Sequence, residues 1–315
     1  MGTVPSYISI DGGNTYIAVT SMVHTFYDCD NLVVAPEIAD TVTNMIVTFY
    51  RASNLTTAPN KILDSVTNAS FTFADCNKLN TIPILGNNIK DMTATFRNTA
   101  ITVFDEELPN SVINMKDTFF GCTGLIEFNV DLPNNVKNIT NTFNNCTSLT
   151  TVPSVIPNSV TEMARTFNNC TSLATVPSVI PNSVINMDST FFNCTSLVNG
   201  PTTISNNVTN MRSTFYNCGV LTTLPTSIPS SVTNMFQIFF RCSKLQGEIE
   251  INANIDESIV YEWNGTQYKG CDQTFSNAAT ESSGIIIKNT STCRDEVLNT
   301  WISKNSKITL EGVTK

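Results

Sequence analysis

Hydrophobic side chains recur along this chain at an interval of 23 or 24 residues. A phenylalanine marks each repeat, with a methionine usually four residues before it and a cysteine usually three residues after it. The marker phenylalanines are Phe26, Phe49, Phe73, Phe96, Phe119, Phe143, Phe167, Phe191, Phe215 and Phe239. Because one such repeat cannot bury its own apolar face, the regular interval predicts a stack of similar coils around a continuous core.

The apolar positions within one repeat predict a short helix. Val160, Met163, Phe167 and Cys170 are separated by three or four residues, which is the spacing of one helical face. Ser159 lies just ahead of this face, in a turn after a proline, and suits the N-cap position. We therefore expect about two to three helical turns in each repeat.

A second pattern follows the cysteine and predicts a strand. Residues 79–84 and 125–130 have the L-x-x-L-x-L spacing of a leucine-rich repeat strand. In other repeats a proline, such as Pro153, removes one ladder hydrogen bond and shortens the strand. The predicted fold is α/β: a leucine-rich-repeat solenoid of about ten repeats, with a narrow parallel sheet on one side, roughly three residues wide per repeat, and short helices on the other.

The extent of the repeats predicts that the chain has three parts, namely the repeats and a cap at each end. Residues 1–21 form an N-terminal β-hairpin cap, residues 22–246 are the repeats, and residues 247–315 form a degenerate α/β C-terminal cap. The strands expected in the two caps are 7–10, 15–19, 248–251, 284–287 and 307–310, and a helix is expected over 293–302.

Composition and charge narrow the classes of partner. Asp, Glu, Lys and Arg make up only 14% of the residues and the net charge is -9, without any cluster of basic residues. Such a chain repels phosphate backbones, so we expect no nucleic-acid partner. We expect no membrane span, because no long apolar run is present, and no signal peptide, because the first residues lack a basic start followed by an apolar stretch.

The positions of the cysteines favour a structural role over metal binding or disulfide formation. Within the repeats, successive cysteines lie 24 residues or more apart, which is too far apart for a metal-binding motif. Adjacent helices would also hold them about 8–10 Å apart, beyond the roughly 7 Å that a disulfide spans. We therefore expect free, buried thiols, no metal and no cofactor, while a bridge between Cys271 and Cys293 stays open. The expected structural core comprises Phe143, Phe167, Phe191, Phe215, Cys146, Cys170, Cys194 and Cys218.

An enzymatic role is not expected. Acid–base catalysis needs two tuned groups that converge in one pocket. The repeats from Val136 to Phe240 contain few charged residues, namely Lys137, Glu162, Arg165, Asp188 and Arg212. The single histidine, His24, falls on the predicted outward face and is expected to be solvated. No catalytic residue is assigned.

Two surfaces are candidates for binding. The outward strand positions, on the predicted concave face, carry Thr150, Thr151, Thr175, Thr222 and Thr223. The positions just after the marker phenylalanines, on the predicted convex face, carry Tyr27, Tyr50 and Tyr216, which alternatively shield neighbouring helices. Two polar columns are expected to hydrogen-bond within the stack rather than to contact a ligand. They are the asparagines at the position before the methionine (Asn44, Asn68, Asn114, Asn138, Asn186, Asn210 and Asn234) and the threonines before the phenylalanines (Thr25 through Thr214).

The repeat over residues 158–181, NSVTEMARTFNNCTSLATVPSVIP, resembles the BspA-type leucine-rich repeat, and this likeness extends from about Met22 to Leu245. The resemblance implies a surface-exposed, adhesin-like protein of host-associated bacteria, and similar coils occur in phage-encoded and protozoan proteins. We therefore expect a non-enzymatic recognition or adhesion module that binds a protein or a glycan. The alternative is a phage virion structural protein (a fibre, tail or decoration subunit), with other virion subunits or copies of itself as partners. The expected location is the cell surface or the virion.

Overall fold

The computed structural model describes residues 2–3, 5–9, 16–253, 262–263, 268–269, 273–288, 305 and 307–311. The chain divides into two compact units, Met1–Leu149 (unit 1) and Thr150–Lys315 (unit 2). Each unit is a stack of coils joined by hydrogen bonds between neighbouring coils. Throughout the described residues, no helix is long and apolar enough to cross a membrane.

The predicted short helices are wrong: the described residues contain no α-helix, and the predicted helical segments fold as successive turns. In the coil that contains Met187, Ser189 has a φ of 54° and Asn193 has a φ of 58°. A left-handed residue at every fourth position is incompatible with a right-handed α-helix. The same pair of left-handed residues, four apart, recurs in every coil from His24 and Asp28 to Gln237 and Arg241.

Hydrogen bonds to the neighbouring coil replace the bonds that a helix would make. The backbone N–H groups of Ser189, Phe191 and Asn193 donate to carbonyl groups of the next coil at 2.7–2.9 Å. A further bond within the turn, from the Thr190 N–H to the Met187 carbonyl at 3.2 Å, spans three residues rather than four. Buried backbone groups need partners, and the adjacent coil supplies them, so the turn side is bonded along the stack in the same way as the strand side.

Unit 1 contains two short pairs of strands. Strands β1 (Tyr7–Ser9) and β2 (Tyr16–Ala18) are antiparallel, which confirms the strand pairing of the predicted hairpin. Its turn lies outside the described residues. Strands β3 (Val103–Phe104) and β4 (Glu127–Phe128) are parallel. Other coils of unit 1 are joined at the strand side by isolated parallel bridges, such as Lys61 to Ile84, so this sheet is narrower than predicted.

Unit 2 contains a four-stranded parallel sheet in the order β10-β9-β6-β5. Its strands are β5 (Ser227–Ile228), β6 (Gly247–Ile251), β9 (Ile285–Lys288) and β10 (Ile308–Leu310). The three strands predicted near the C-terminus are thus confirmed, each to within one residue. Strands β7 (Glu262–Trp263) and β8 (Tyr268–Lys269) form an antiparallel pair. The helix predicted over 293–302 lies outside the described residues.

The position before the methionine, which is asparagine in most coils, forms another line of parallel bridges on the turn side. In unit 2 this line joins Glu162 to Asn186, Asn186 to Asn210, and Asn210 to Asn234. The Asn186 side-chain oxygen accepts from the backbone N–H of Asp188 at 3.0 Å and so fixes the turn that follows. The structural role expected for this column is confirmed.

Stacked phenylalanine rings form the centre of each unit. In unit 1 the rings from Phe26 to Phe143 stack with centroids 5.2–5.7 Å apart. In unit 2 the stack runs from Phe167 to Phe239 at 5.4–5.7 Å and then continues to Phe275 at 5.5 Å. The sequence analysis missed Phe275, which is 36 residues beyond Phe239 and outside the regular interval. The core therefore extends past the last of the ten predicted repeats.

The threonines that precede the marker phenylalanines from Phe49 to Phe215 are buried, and their column joins neighbouring coils. The Thr214 hydroxyl is 2.7 Å from the Met211 carbonyl of its own coil and 2.9 Å from the Met187 carbonyl of the preceding coil. Thr214 is fully buried, so its hydroxyl cannot exchange these acceptors for water. The threonine column therefore holds the turn and the stack together.

Candidate functional site

The eight cysteines within the described residues are all free. The reason predicted for this was wrong. The sequence analysis expected packed helices to hold the cysteines too far apart for a disulfide, whereas the coils are hydrogen-bonded directly to one another and contain no helices among the described residues. Instead, the Cys194 Sγ donates to the Phe167 carbonyl at 3.0 Å, and the Cys218 Sγ donates to the Phe191 carbonyl at 3.1 Å. Burial raises the pKa of the Cys194 thiol to about 12, and a thiol that stays protonated is a poor nucleophile and metal ligand. Cys271 and Cys293 lie outside the described residues.

The charged residues of unit 2 include an ion-pair network around a buried carboxylate. Asp188 is almost fully buried, and its two carboxylate oxygens lie 3.2 Å from Arg212 Nη1 and 3.4 Å from Arg165 Nη2. The three residues belong to three successive coils, so the network joins these coils to one another. His24 in unit 1 is exposed, with its ring edge-on to Tyr27 at 5.6 Å. In the part of the chain that the structure describes, no group of three or more His, Cys, Asp and Glu side chains is placed to hold a metal ion.

The candidate strand-side threonines fall into two groups. Thr150, Thr151 and Thr175 are exposed and line a shallow depression of 460 Å³ in unit 2. Thr222 and Thr223 are half-buried and already hydrogen-bonded within the unit. The Thr222 hydroxyl donates to the Val198 carbonyl at 3.2 Å, and the Thr223 hydroxyl accepts from the Gly200 N–H at 3.1 Å. Only the first group is therefore brought together on an accessible surface.

Exposed valines follow this depression along the chain. Val155 is 64% exposed and Val179 is 54% exposed, and each comes directly after a serine that lines the depression, Ser154 or Ser178. Sequence reasoning missed them, because an apolar residue between two predicted core positions looks like part of the core. Exposed apolar side chains grouped on one surface are typical of a binding interface.

The candidate tyrosines form ring stacks on the turn side. In unit 1, Tyr27 and Tyr50 are stacked with centroids 5.4 Å apart, and Tyr27 is 39% exposed. In unit 2, Tyr216 lies between Phe192 at 4.5 Å and Phe240 at 4.9 Å. The rings of neighbouring coils thus cover one another, although the coils are turns and not helices.

A polar recess that the sequence analysis did not identify lies beside Tyr27 and Tyr50. We call it the unit 1 recess; its volume is 610 Å³ and it is lined by Asp28, Asp30, Arg51, Ser53, Asp75, Asn77 and Asn98. These residues stand two or four positions after successive marker phenylalanines. The coil spacing therefore brings together side chains that are 23 or more residues apart in the chain.

Hydrogen bonds and charges fix the side chains of the unit 1 recess. The Asn98 amide donates to Asp75 Oδ1 at 2.6 Å, and the Ser53 hydroxyl donates to Asp30 Oδ1 at 2.6 Å. Arg51 Nε is 3.8 Å from Asp28 Oδ1. A hydrogen bond to Tyr27 and the nearby carboxylate of Asp28 raise the pKa of the Arg51 guanidinium.

Comparisons with known proteins agree with this architecture. The family described as "BspA type Leucine rich repeat region" matches in six copies, over residues 16–126, 47–174, 116–246 and 164–269. No curated protein matches the chain.

Three solved structures are similar to the chain. A leucine-rich repeat protein from Bacteroides ovatus ATCC 8483 is 17% identical with a TM-score of 0.48, over 98% of this chain and 91% of that chain. A leucine rich cell surface protein from Faecalibacterium prausnitzii A2-165 is 20% identical with a TM-score of 0.49, over 99% of this chain and 87% of that chain. The T. pallidum Leucine Rich Repeat protein is 23% identical with a TM-score of 0.40, over 54% of this chain and 76% of that chain.

Proposed function

Because the chain belongs to the BspA-type leucine-rich repeat family, we propose that it is a non-enzymatic surface recognition or adhesion module that binds a protein or a glycan. Solenoids of this type bind through extended surfaces built from the same position of successive repeats. The reactive groups support this role, because the Cys194 thiol and the Asp188 carboxylate are both bonded to groups of neighbouring coils.

The observation that carries the proposal is the exposed surface of unit 2 around the threonine depression. Thr151 and Thr175 present hydroxyl groups, and Val155 and Val179 present exposed apolar groups next to them. Interfaces between proteins combine apolar and hydrogen-bonding groups in this way. Because successive coils repeat the same pattern, a partner can make several weak contacts at once.

The scaffold beneath this surface is rigid. Hydrogen bonds between coils and stacked phenylalanine rings hold both the strand side and the turn side of unit 2. A surface that is already ordered loses little conformational entropy on binding, which favours recognition.

The test is binding of the purified full chain to an array of extracellular host proteins and glycans. We expect saturable binding to at least one of them, and substitution of Val155→Lys with Val179→Lys should weaken that binding at least tenfold if this surface makes the contact. The matched control is Ile185→Lys, because Ile185 is also an exposed β-branched residue of unit 2 but lies beside the turn-side bridges.

Absence of binding to every protein and glycan on the array would contradict the proposal. Ordered self-assembly of the chain without array binding would instead favour the virion structural role.

A further inference from the structure

The residue two positions after each stacked phenylalanine shows what the fold requires there. In unit 2 this residue is Asn169, Asn193 and Asn217 in successive coils, all with a positive φ. The Asn193 amide donates to Asn169 Oδ1 at 2.8 Å, and the Asn217 amide donates to Asn193 Oδ1 at 2.6 Å. Asparagine tolerates the left-handed region better than most residues, and its amide has both a donor and an acceptor for such a ladder. An asparagine ladder is therefore sufficient for the fold.

The first three coils of unit 1 have different residues at the same position. Asp28, Arg51 and Asp75 stand there with φ values of 52°, 61° and 60°, and Asn98 follows in the fourth coil with a φ of 53°. In unit 2 the coil after Asn217 also departs from asparagine, with Arg241 at a φ of 61°. The amide ladder is reduced to one bond, from Asn98 to Asp75, and a 3.8 Å ion pair joins Arg51 to Asp28. Arginine has no local hydrogen bond to favour a positive φ. The turn explains the backbone here but does not explain the charged side chains.

The next position that lines the unit 1 recess differs between coils in the same way. Four residues after the phenylalanine, the first three coils of unit 1 have Asp30, Ser53 and Asn77. Later coils have threonines there, namely Thr123 and Thr147 in unit 1 and Thr171 and Thr195 in unit 2. The side chains at both positions line the same cavity of 610 Å³. In unit 1 the departures at both positions thus fall in successive coils and line one recess.

The groups in the unit 1 recess match a ligand rich in hydroxyl groups. Asp28, Asp30 and Asp75 supply acceptors, while Arg51 and Asn77 supply donors. A hydroxyl group can donate to the first set and accept from the second. Three carboxylates against one guanidinium oppose an anionic ligand, and the described carboxylates are not grouped closely enough to hold a metal ion. Tyr27, which is exposed and hydrogen-bonded to Arg51 of the recess, adds an amphipathic ring for the apolar C–H groups of a sugar.

We propose that the unit 1 recess binds a neutral, polyhydroxylated saccharide, as the terminal or internal residues of a glycan chain. This inference rests on the proposed recognition function and names a ligand class and a site for it. The binding surface proposed above for unit 2 consists of other residues, so the two sites can be tested separately.

The test uses a variant that restores the asparagine ladder, Asp28→Asn with Arg51→Asn and Asp75→Asn, in the full chain. Asparagine is the residue that three successive coils of unit 2 have at this position, Asn169, Asn193 and Asn217, so the left-handed turns are preserved and the thermal melting temperature should not fall. The probes are neutral galactosides, mannosides and N-acetylglucosamine oligomers, titrated by calorimetry or saturation-transfer NMR. We expect the wild-type chain to bind at least one of these probes and the variant to bind it at least tenfold more weakly.

Two controls make the result specific to the unit 1 recess. Asp40→Asn removes one carboxylate from an exposed residue outside the recess and should leave the affinity unchanged. If the triple variant melts early, Ser53→Ala and Asn77→Ala replace it, and each should weaken binding severalfold without a change in melting temperature.

Equal affinity of the ladder variants and the wild type would overturn the inference, and so would binding of sialylated oligosaccharides alone. Wild-type binding to host proteins without binding to any saccharide would overturn this inference and leave the proposed function standing. Absence of all array binding would overturn both.

Discussion

The phenylalanine stack of unit 2 makes a quantitative prediction about stability. Phe191 is fully buried, and its ring lies between Phe167 at 5.7 Å and Phe215 at 5.4 Å. Substitution of Phe191→Ala removes the ring and leaves a cavity in the middle of the stack. The matched control is Thr175→Ala, which changes an exposed residue of the same unit.

The expected loss follows from burial and from the two ring contacts. Replacement of a fully buried phenylalanine by alanine lowers the free energy of unfolding by about 3 to 5 kcal/mol. The upper part of this range applies, because the rings on both sides are held by their own coils and cannot collapse into the space. Phe191→Leu keeps part of the side chain and should lose about 1 to 2 kcal/mol. Thr175→Ala should change stability by less than about 0.5 kcal/mol.

The assay is equilibrium unfolding in urea, followed by circular dichroism and by tryptophan fluorescence. If the two probes give separate transitions, the unfolding rate of each variant replaces the equilibrium value, because stacked repeats do not always unfold as one unit. If Phe191→Ala lowered the free energy of unfolding as little as Thr175→Ala does, the assignment of Phe191 as buried and Thr175 as exposed in unit 2 would be refuted.

Three further predictions concern polar groups of unit 2. Thr214→Val should lower the free energy of unfolding by about 1 to 3 kcal/mol, because the Met187 carbonyl loses a buried donor; Thr214→Ser should restore most of it in the same urea assay. Asp188→Asn should lose about 1 to 3 kcal/mol, because Arg212 is left without its carboxylate, and added salt should narrow the difference from the wild type. Burial raises the pKa of the Cys194 thiol to about 12, so the folded state keeps a proton that the unfolded thiol loses above roughly pH 8.5. Stability should therefore be highest below that pH and fall between about pH 9 and 12, and Cys194→Ala should make the fall measurably smaller in melts recorded across this range.

The stacked core and the parallel pairing between coils were predictable from the sequence. The columns of phenylalanine, methionine and cysteine recur at a single interval, and an interval of this kind has few structural explanations. The terminal strands were also predictable, because residues 284–287 and 307–310 are short runs of β-branched and apolar side chains. Phe275 was not predictable from the interval, because it lies 36 residues beyond Phe239.

The turn side was predicted incorrectly for a physical reason. Each coil makes two consecutive turns, and each turn is closed by a left-handed residue. The side chains that point inward from these turns are three or four residues apart, which is also the spacing of one face of a helix. The signal that separates the two structures is the asparagine or glycine two positions after the phenylalanine, as at Gly121, Asn169 and Asn193, since these residues favour a positive φ. The unit 1 recess escaped notice because its residues are far apart in the chain, and each looks like an ordinary surface residue alone.

The hydrogen bonds between coils also determine how a unit responds to mechanical force. In unit 2 the bonds from Ser189, Phe191 and Asn193 to the next coil point along the stack, so tension in that direction pulls on them directly. Because each coil contacts only its neighbours, the coils should detach one after another rather than all together. Each detached coil of 24 residues would release about 80 Å of extended chain. A protein that attaches to a surface under flow would then lengthen in steps and absorb the load before the bond to its partner breaks.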